Sequence, residues 1–159
     1  MEGINTDAAP ARAYERTVPA DTASMPGLVG FLEGALEVAG CPPAMSTKLM
    51  ICLDEIASNV MKFSKASELT VRLEHGADTS PWSLSFIDDG TPWNPLTHDD
   101  PDITLPAAER PIGGLGLLMV KKMTDEVTYV REGEKNILCL RISAGLQDTN
   151  TKKGKAHVR

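Results

Sequence analysis

The stretch ICLDEIASNVMKFS, residues 51–64, places Glu55 and Asn59 one helical turn apart inside an apolar pattern. A carboxamide oxygen is a suitable ligand for Mg²⁺, and it adds no charge beside an anionic triphosphate. A carboxylate one turn away can orient an attacking hydroxyl and accept its proton. Asn is unfavourable inside helices, so Asn59 in the middle of this helix suggests a functional role. The alternative interpretation is the solvated edge of an ordinary amphipathic helix.

A second candidate is the segment FIDDG. Asp88 continues the alternation of Trp82, Leu84 and Phe86, which predicts that its side chain faces the covered side of a sheet. A buried carboxylate needs a donor, because burying it unpaired is costly. The exocyclic amine of a purine is one candidate donor. The alternative is ordinary turn chemistry, for which Asp-Asp-Gly is typical.

The third candidate, PIGGLGLLMV, begins a helical pattern on Gly113, Gly114 and Gly116. Glycines at a helix start destabilise the helix, so several together suggest that the backbone must approach another group closely. The free N–H groups at a helix N-terminus also attract phosphate oxygens. The segment is neither a GxxxxGK[ST] phosphate loop nor a dinucleotide fingerprint between strand and helix. A glycine cluster without a ligand is the alternative.

Three helices and five strands must position these groups, and the third helix is the one predicted to begin on the glycines of GLGLLMVKKMTD. One helix is predicted within residues 20–40, capped by Asp21 or Thr22, with mostly inward Leu28, Phe31, Leu32, Leu36 and Val38. The other is predicted over residues 43–63, with a buried face of Leu49, Leu53, Ile56, Val60 and Phe63. Strands are predicted at 13–19, 68–75 and 82–88, followed by a hairpin over 126–143 that turns at Glu132-Gly133-Glu134.

This order predicts an α+β, two-layer sandwich with a mixed, mostly antiparallel sheet and helices on one face. Residues 91–114 form a long Pro-rich segment, which in a small domain is usually functional or disordered. We expect one domain over residues 13–145, a disordered tail at 1–12 and a basic tail at 146–159.

Composition narrows the function classes. The 159 residues carry a net charge of −6, which argues against nucleic-acid binding as the main role. No apolar stretch approaches a membrane span, and the N-terminus lacks a secretory layout, so a cytoplasmic location is expected. The three cysteines lack metal-ligand spacing, and Cys52 and Cys139 are predicted to be small core residues.

The segments DEIASN, DDGTPWNP and GGLGLLMV, in this order, resemble the asparagine box and the two glycine boxes of the GHKL (Bergerat-fold) ATP-binding proteins. GEKNILCLRI resembles the closing strand of one branch, the small anti-sigma factor serine/threonine kinases of the RsbW/SpoIIAB type. The similarity covers about residues 14–143. It therefore implies ATP and Mg²⁺ as cofactors.

The resemblance also implies roles for individual residues. Glu55 would be the catalytic carboxylate, Asn59 the Mg²⁺ ligand, and Asp88 the acceptor for the adenine amine, with Gly90 allowing close approach of the base. The remaining nucleotide-binding candidates are Lys62, Arg110, Gly113, Gly114, Leu115 and Gly116. A lid would extend from Trp93 to Ile112, where Arg110 either meets the γ-phosphate or is an ordinary surface arginine.

Two departures from the family pattern stand out. Lys62-Phe63-Ser64 replaces the usual histidine and a small or aromatic residue, and Lys62 either contacts phosphate or is solvated. Trp93-Asn94 replaces the common Phe-Asp. His98 has no matching ligands nearby and is expected to be a surface residue.

By resemblance, the chain would transfer phosphate from ATP to a serine of a STAS-type anti-anti-sigma protein. It would also sequester a sigma factor, and homodimerisation is implied. One alternative is a regulatory binding module in which nucleotide sets the lid conformation without phosphoryl transfer. Another is a scaffold that has lost nucleotide binding.

Overall fold

The computed structural model describes residues 11–76, 79–97 and 115–143. The chain first forms β1 (Arg12–Pro19), α1 (Met25–Val38), α2 (Pro43–Phe63), β2 (Glu68–His75) and β3 (Trp82–Asp88). After the gap it forms α3 (Leu115–Met123), β4 (Glu126–Glu132) and β5 (Lys135–Ile142). Short 3₁₀ turns lie at Thr22–Ser24 and Pro95–Thr97. The predicted bounds of α2, β2 and β3 match those in the structure.

The five strands form one sheet in the order β1-β2-β3-β5-β4. Every pairing among these strands is antiparallel, so the described sheet is antiparallel throughout rather than mixed. Helix α1 packs on β1 and β2, α2 packs on β3, and α1 and α3 both contact α2. The predicted α+β sandwich is confirmed.

The core lies between the sheet and the helices. Alternation places Leu69, Val71 and Leu73 of β2 beneath the helices, and Trp82, Leu84 and Phe86 of β3 do the same. The buried side of α2 consists of Met45, Leu49, Cys52, Leu53, Ile56, Ala57 and Val60. Burial of these side chains supplies most of the driving force that holds α2 against the sheet.

Several predictions about the edges of this core were wrong. Val38 and Phe63 are 68% and 55% exposed, because each is the last residue of its helix and the core does not cover it there. Cys139 is only half-buried, since its neighbours Leu138 and Leu140 take the covered face and alternation turns Cys139 away. The predicted cap of the first helix at Asp21 or Thr22 was also wrong, because a 3₁₀ turn containing Thr22 intervenes and α1 begins after Ser24. The Asp21 side chain makes no capping hydrogen bond.

Candidate functional site

Helix α2 positions Glu55 and Asn59. Both side chains are half-buried, whereas the neighbouring Ile56 and Val60 are buried in the core. The two polar residues therefore lie at the border of the buried face, separated by about 6 Å along the helix axis. This location lets each group be held by the fold while it remains accessible to a ligand.

Gly116, in the first turn of α3, lies directly against the carboxylate of Glu55. A Cβ on Gly116 would overlap a carboxylate oxygen of Glu55 and approach its Cδ to 2.5 Å. The absence of a side chain at position 116 is thus what leaves room for the Glu55 carboxylate beside the start of α3. The structure brings together two residues that are far apart in the sequence.

The other end of the same stretch of α2 is tied to the turn that follows β3. The carbonyl oxygen of Ser64 accepts hydrogen bonds from the backbone N–H of Thr91 at 2.7 Å and from the Thr91 hydroxyl at 3.1 Å. A Cβ on Gly90 would overlap that same carbonyl oxygen and lie 2.8 Å from Oδ1 of Asp88. Only glycine fits at position 90, because the obstacle includes backbone atoms.

Asp88 is the last residue of β3 and only 3% exposed, so its predicted inward orientation agrees with the structure. Its Oδ1 accepts hydrogen bonds from the backbone N–H of Gly90 at 2.9 Å and from Nδ2 of Asn136 at 3.0 Å. Among the described residues, none donates to Oδ2. One oxygen of a buried carboxylate is therefore saturated, and the other remains an acceptor.

The adjacent Asp89 accepts hydrogen bonds from residues at the start of β2. The hydroxyl of Ser67 donates to its carboxylate, as do the backbone N–H groups of Ser67 at 2.8 Å and Glu68 at 3.1 Å. These bonds, chiefly the one from the Ser67 hydroxyl, lower the pKa of Asp89 to about 2. Asp89 thereby fastens the turn after β3 to the start of β2, and it holds Asp88 in place indirectly.

Sequence reasoning missed Asn136, which is buried beside Asp88 at the start of β5. A signal was present: Asn136 is the polar member of an alternating set that continues with Leu138, Leu140 and Ile142. The same pattern had identified Asp88 in β3. The register pairs Asp88 directly with Asn136, so the two polar interruptions of the core meet.

A groove of about 550 Å³ opens next to this region, between the helices. Its walls carry the carboxylates of Glu33, Asp54 and Glu55, and its apolar surface comes from Met50, Ile51 and Met119, with Ser46 and Thr47 completing the lining. The half-buried Glu55 is thus accessible from this groove, on the helical side of the sheet. Asn59 and Asp88 do not line this groove.

The remaining predicted residues are placed only in part. Lys62 is exposed in the last turn of α2, and Leu115 is the first residue of α3. The rings of Phe63 and Trp93 contact each other with centroids 6.1 Å apart, which joins the end of α2 to the start of the predicted lid. Four predicted positions lie outside the described residues: His98, Arg110, Gly113 and Gly114. Most of the lid, residues 1–10 and the predicted basic tail also lie outside them. The predicted end of the N-terminal tail at residue 12 was wrong, because Arg12 already pairs with β2 as the first residue of β1.

Comparisons with known proteins agree with this arrangement. The model of the family "Histidine kinase-like ATPase domain" matches residues 18–142. A crystal structure of the RsbU and RsbW domains of Rv1364c from Mycobacterium tuberculosis superposes with a TM-score of 0.59 at 15% sequence identity. That match covers 84% of this chain but 33% of the other, so at this identity it shows a shared fold. A search of curated proteins found no match.

No helix in the described part of the chain combines the length and apolarity needed to cross a bilayer. The family match spans the helix with Glu55 and Asn59, the Asp88 turn and the closing strand. This chain belongs to the histidine kinase-like ATPase domain family.

Proposed function

We propose that the chain is an ATP-dependent serine/threonine protein kinase of the anti-sigma factor type. The observation that carries this proposal is the position of α2 between the two glycine segments. Glu55 lies against Gly116 at one end, and Ser64 holds the turn of Gly90 and Thr91 at the other. Asn59 lies between these two contacts along α2, which supports a single site that uses all three predicted groups.

In the proposed site, Asp88 would accept the exocyclic amine of adenine, and the segment before α3 would receive the phosphates. Within the described residues, no three His, Cys, Asp or Glu side chains converge on a metal site. A Mg²⁺ ion would take the amide oxygen of Asn59 and fill its other positions with phosphate oxygens and water. These are hard oxygen ligands of the kind that Mg²⁺ prefers, so the residues fit the ion.

Glu55 would act on the protein substrate rather than on the nucleotide. Its carboxylate borders the open groove, so an incoming hydroxyl can reach it from the helical side. Glu55 would orient that hydroxyl and accept its proton as the phosphoryl group is transferred. The Mg²⁺ ion, when bound, supplies charge neutralisation on the phosphates.

The contact between Phe63 and Trp93 favours a second candidate, a nucleotide-dependent binding module. Both residues belong to the departures from the family pattern, and their rings link α2 to the start of the predicted lid. In such a module, nucleotide would set the lid conformation and thereby the affinity for a sigma factor or a STAS-type partner, without transfer.

One assay separates the two candidates. The protein is incubated with γ-labelled ATP, Mg²⁺ and the STAS-domain protein encoded nearest to it, as wild type, Glu55→Gln and Glu37→Gln. Glu37 is an exposed carboxylate of α1 that does not line the groove, so it serves as the matched control. We expect transfer to fall by about 100-fold or more in Glu55→Gln alone, with ATP affinity retained. Tight ATP binding without labelling of the partner supports the module instead.

A further inference from the structure

Asn136 is the centre of a buried hydrogen-bond network next to Asp88. Its Nδ2 donates to Oδ1 of Asp88 at 3.0 Å and to the carbonyl oxygen of Thr91 at 2.8 Å. Its Oδ1 accepts bonds from the hydroxyl of Tyr129 at 2.5 Å, from Nη1 of Arg131 at 3.1 Å and from the N–H of Trp93 at 3.3 Å. Asn136 itself is 3% exposed, so these bonds are made away from bulk water.

This network fixes which way the amide of Asn136 points. Tyr129, Arg131 and the Trp93 N–H supply donors at one end of the amide, and a carboxylate and a carbonyl supply acceptors at the other. A flipped amide would place donor against donor and acceptor against acceptor at once. The amino group of Asn136 is therefore held permanently toward Asp88.

The fixed orientation of Asn136 makes the two carboxylate oxygens of Asp88 different from each other. The Gly90 N–H and the Asn136 amide occupy both lone-pair sites of Oδ1. Oδ2 is left as the acceptor of this carboxylate, since no described residue donates to it. Two donors that lie side by side on a base are best matched by the two oxygens of a carboxylate, and one of these oxygens is already occupied here.

We propose that Asn136 is the positioning residue that sets the base selectivity of the nucleotide site for adenine over guanine. The inference rests on the proposed nucleotide site. Adenine offers Asp88 one exocyclic amine on its pairing edge, which matches the one free oxygen. Guanine offers a ring N–H and an amino group side by side, and this pair is best satisfied by both oxygens of a carboxylate.

Arg131 adds a second constraint on the same site. Its Nη1 donates to the carbonyl oxygen of Gly90 at 2.8 Å as well as to Asn136. Arg131 thereby links Gly90 and Asn136, the two residues that donate to Asp88. Rotation of the Asp88 carboxylate would break bonds on both sides, so the network resists the rearrangement that guanine would require.

The test measures binding of the imido analogues of ATP and GTP, and of the ATP analogue without the exocyclic amine, by titration calorimetry with Mg²⁺. Wild type is compared with Asn136→Ala and with the milder Tyr129→Phe. We expect Asn136→Ala to weaken ATP-analogue binding about tenfold and to narrow the ATP/GTP preference about tenfold. In Asn136→Ala, removing the exocyclic amine from the analogue should cost less affinity than it does in wild type, again by about tenfold. Tyr129→Phe should change the ATP-analogue affinity, the ATP/GTP ratio and the effect of the amine in the same directions, each by about threefold.

Leu140→Ala is the matched control for lost stability. Leu140 is buried on the same face of β5 and pairs with Val127 and Leu84, which are outside the network, so its truncation weakens the fold without removing a network partner. The inference is overturned if Asn136→Ala leaves both ratios unchanged, or if Leu140→Ala changes them equally. A wild-type protein that binds neither analogue overturns the proposed nucleotide site itself, which is a separate outcome.

Discussion

The carboxylate of Glu55 occupies the space that a side chain at Gly116 would need. The two residues belong to different helices, α2 and α3, and their contact requires the smallest possible residue at position 116. The carboxylate is the flexible end of its side chain, whereas the α3 backbone is fixed by helical hydrogen bonds. Added bulk at position 116 therefore displaces Glu55 rather than α3.

This relationship predicts an unusual phenotype for Gly116→Ala. The fold should keep its stability within about 1 kcal/mol, because Ala favours helices and the displaced group can move. Phosphoryl transfer, in contrast, should fall about 10- to 100-fold, since the proposed proton acceptor is moved out of position. Urea unfolding and the partner-labelling assay measure the two effects.

Gly34→Ala provides the matched control in α1, where an added Cβ meets nothing within 4 Å. It should raise stability by about 0.5–1 kcal/mol and leave transfer unchanged. Full activity of Gly116→Ala would show that the position of Glu55 does not govern the reaction.

Gly90→Ala should behave differently, because here the obstacle is the carbonyl group of Ser64 in the backbone. The turn can accommodate a methyl group only by giving up the bonds between Ser64 and Thr91. We expect a loss of about 2–3 kcal/mol in the free energy of unfolding, together with loss of nucleotide binding. Chemical denaturation and calorimetry test this expectation against Gly30→Ala, an exposed position of α1 with open space around it.

Asp89 predicts a pH dependence of stability. Its pKa is about 2 in the folded protein and 3.8 for an ordinary aspartate, so folding favours the charged form. Its contribution to stability is complete above about pH 4 and is lost as the pH falls toward 2. Asp89→Asn should therefore lower the urea midpoint at pH 6 and have a smaller effect at pH 3.

Glu37→Gln, at an exposed position of α1, controls for the loss of one carboxylate. An equal effect of Asp89→Asn at both pH values would mean that the bonds to Ser67 and Glu68 do not depend on charge.

Cys52 offers a probe of α2 itself. Burial, with a smaller contribution from the charge of Glu55, raises the pKa of this thiol to about 11, and its side chain is 0% exposed. Only about one molecule in 10³ would carry the thiolate at pH 8 even if the site were accessible. In a Cys41→Ser/Cys139→Ser background, labelling by a disulfide reagent should therefore be slow and should accelerate with urea as the protein unfolds. Rapid labelling in native buffer would show that α2 opens locally.

Periodicity predicted the bounds of several elements and the burial of their central residues, but it overestimated burial at the ends of α1 and α2. The bounds of α2 followed from its long apolar repeat, yet the same repeat wrongly placed Phe63 in the core, since nothing in a helical pattern shows where the opposing layer ends. Alternation identified Asp88 correctly because a polar residue interrupted a clean apolar strand. The same argument applied to β5 would have identified Asn136.

Other features depend on partners that are remote in the sequence. The network joining Asn136 to Tyr129, Arg131 and Trp93 follows from strand register and from the path of the turn after β3, neither of which is encoded by local preference. The placement of Gly116 against Glu55 similarly depends on how two helices cross. The arrangement of Gly113, Gly114 and Arg110 stays a prediction, because these residues lie outside the described part of the chain.

The hydrogen bonds between Ser64 and Thr91 couple the turn after β3 to the end of α2. Positions 55 and 64 are about 13 Å apart along this helix, so a displacement of the turn would also displace Glu55. In the proposed nucleotide site, a poorly fitting base would thereby misplace the proposed proton acceptor, and an error in base recognition would slow phosphoryl transfer.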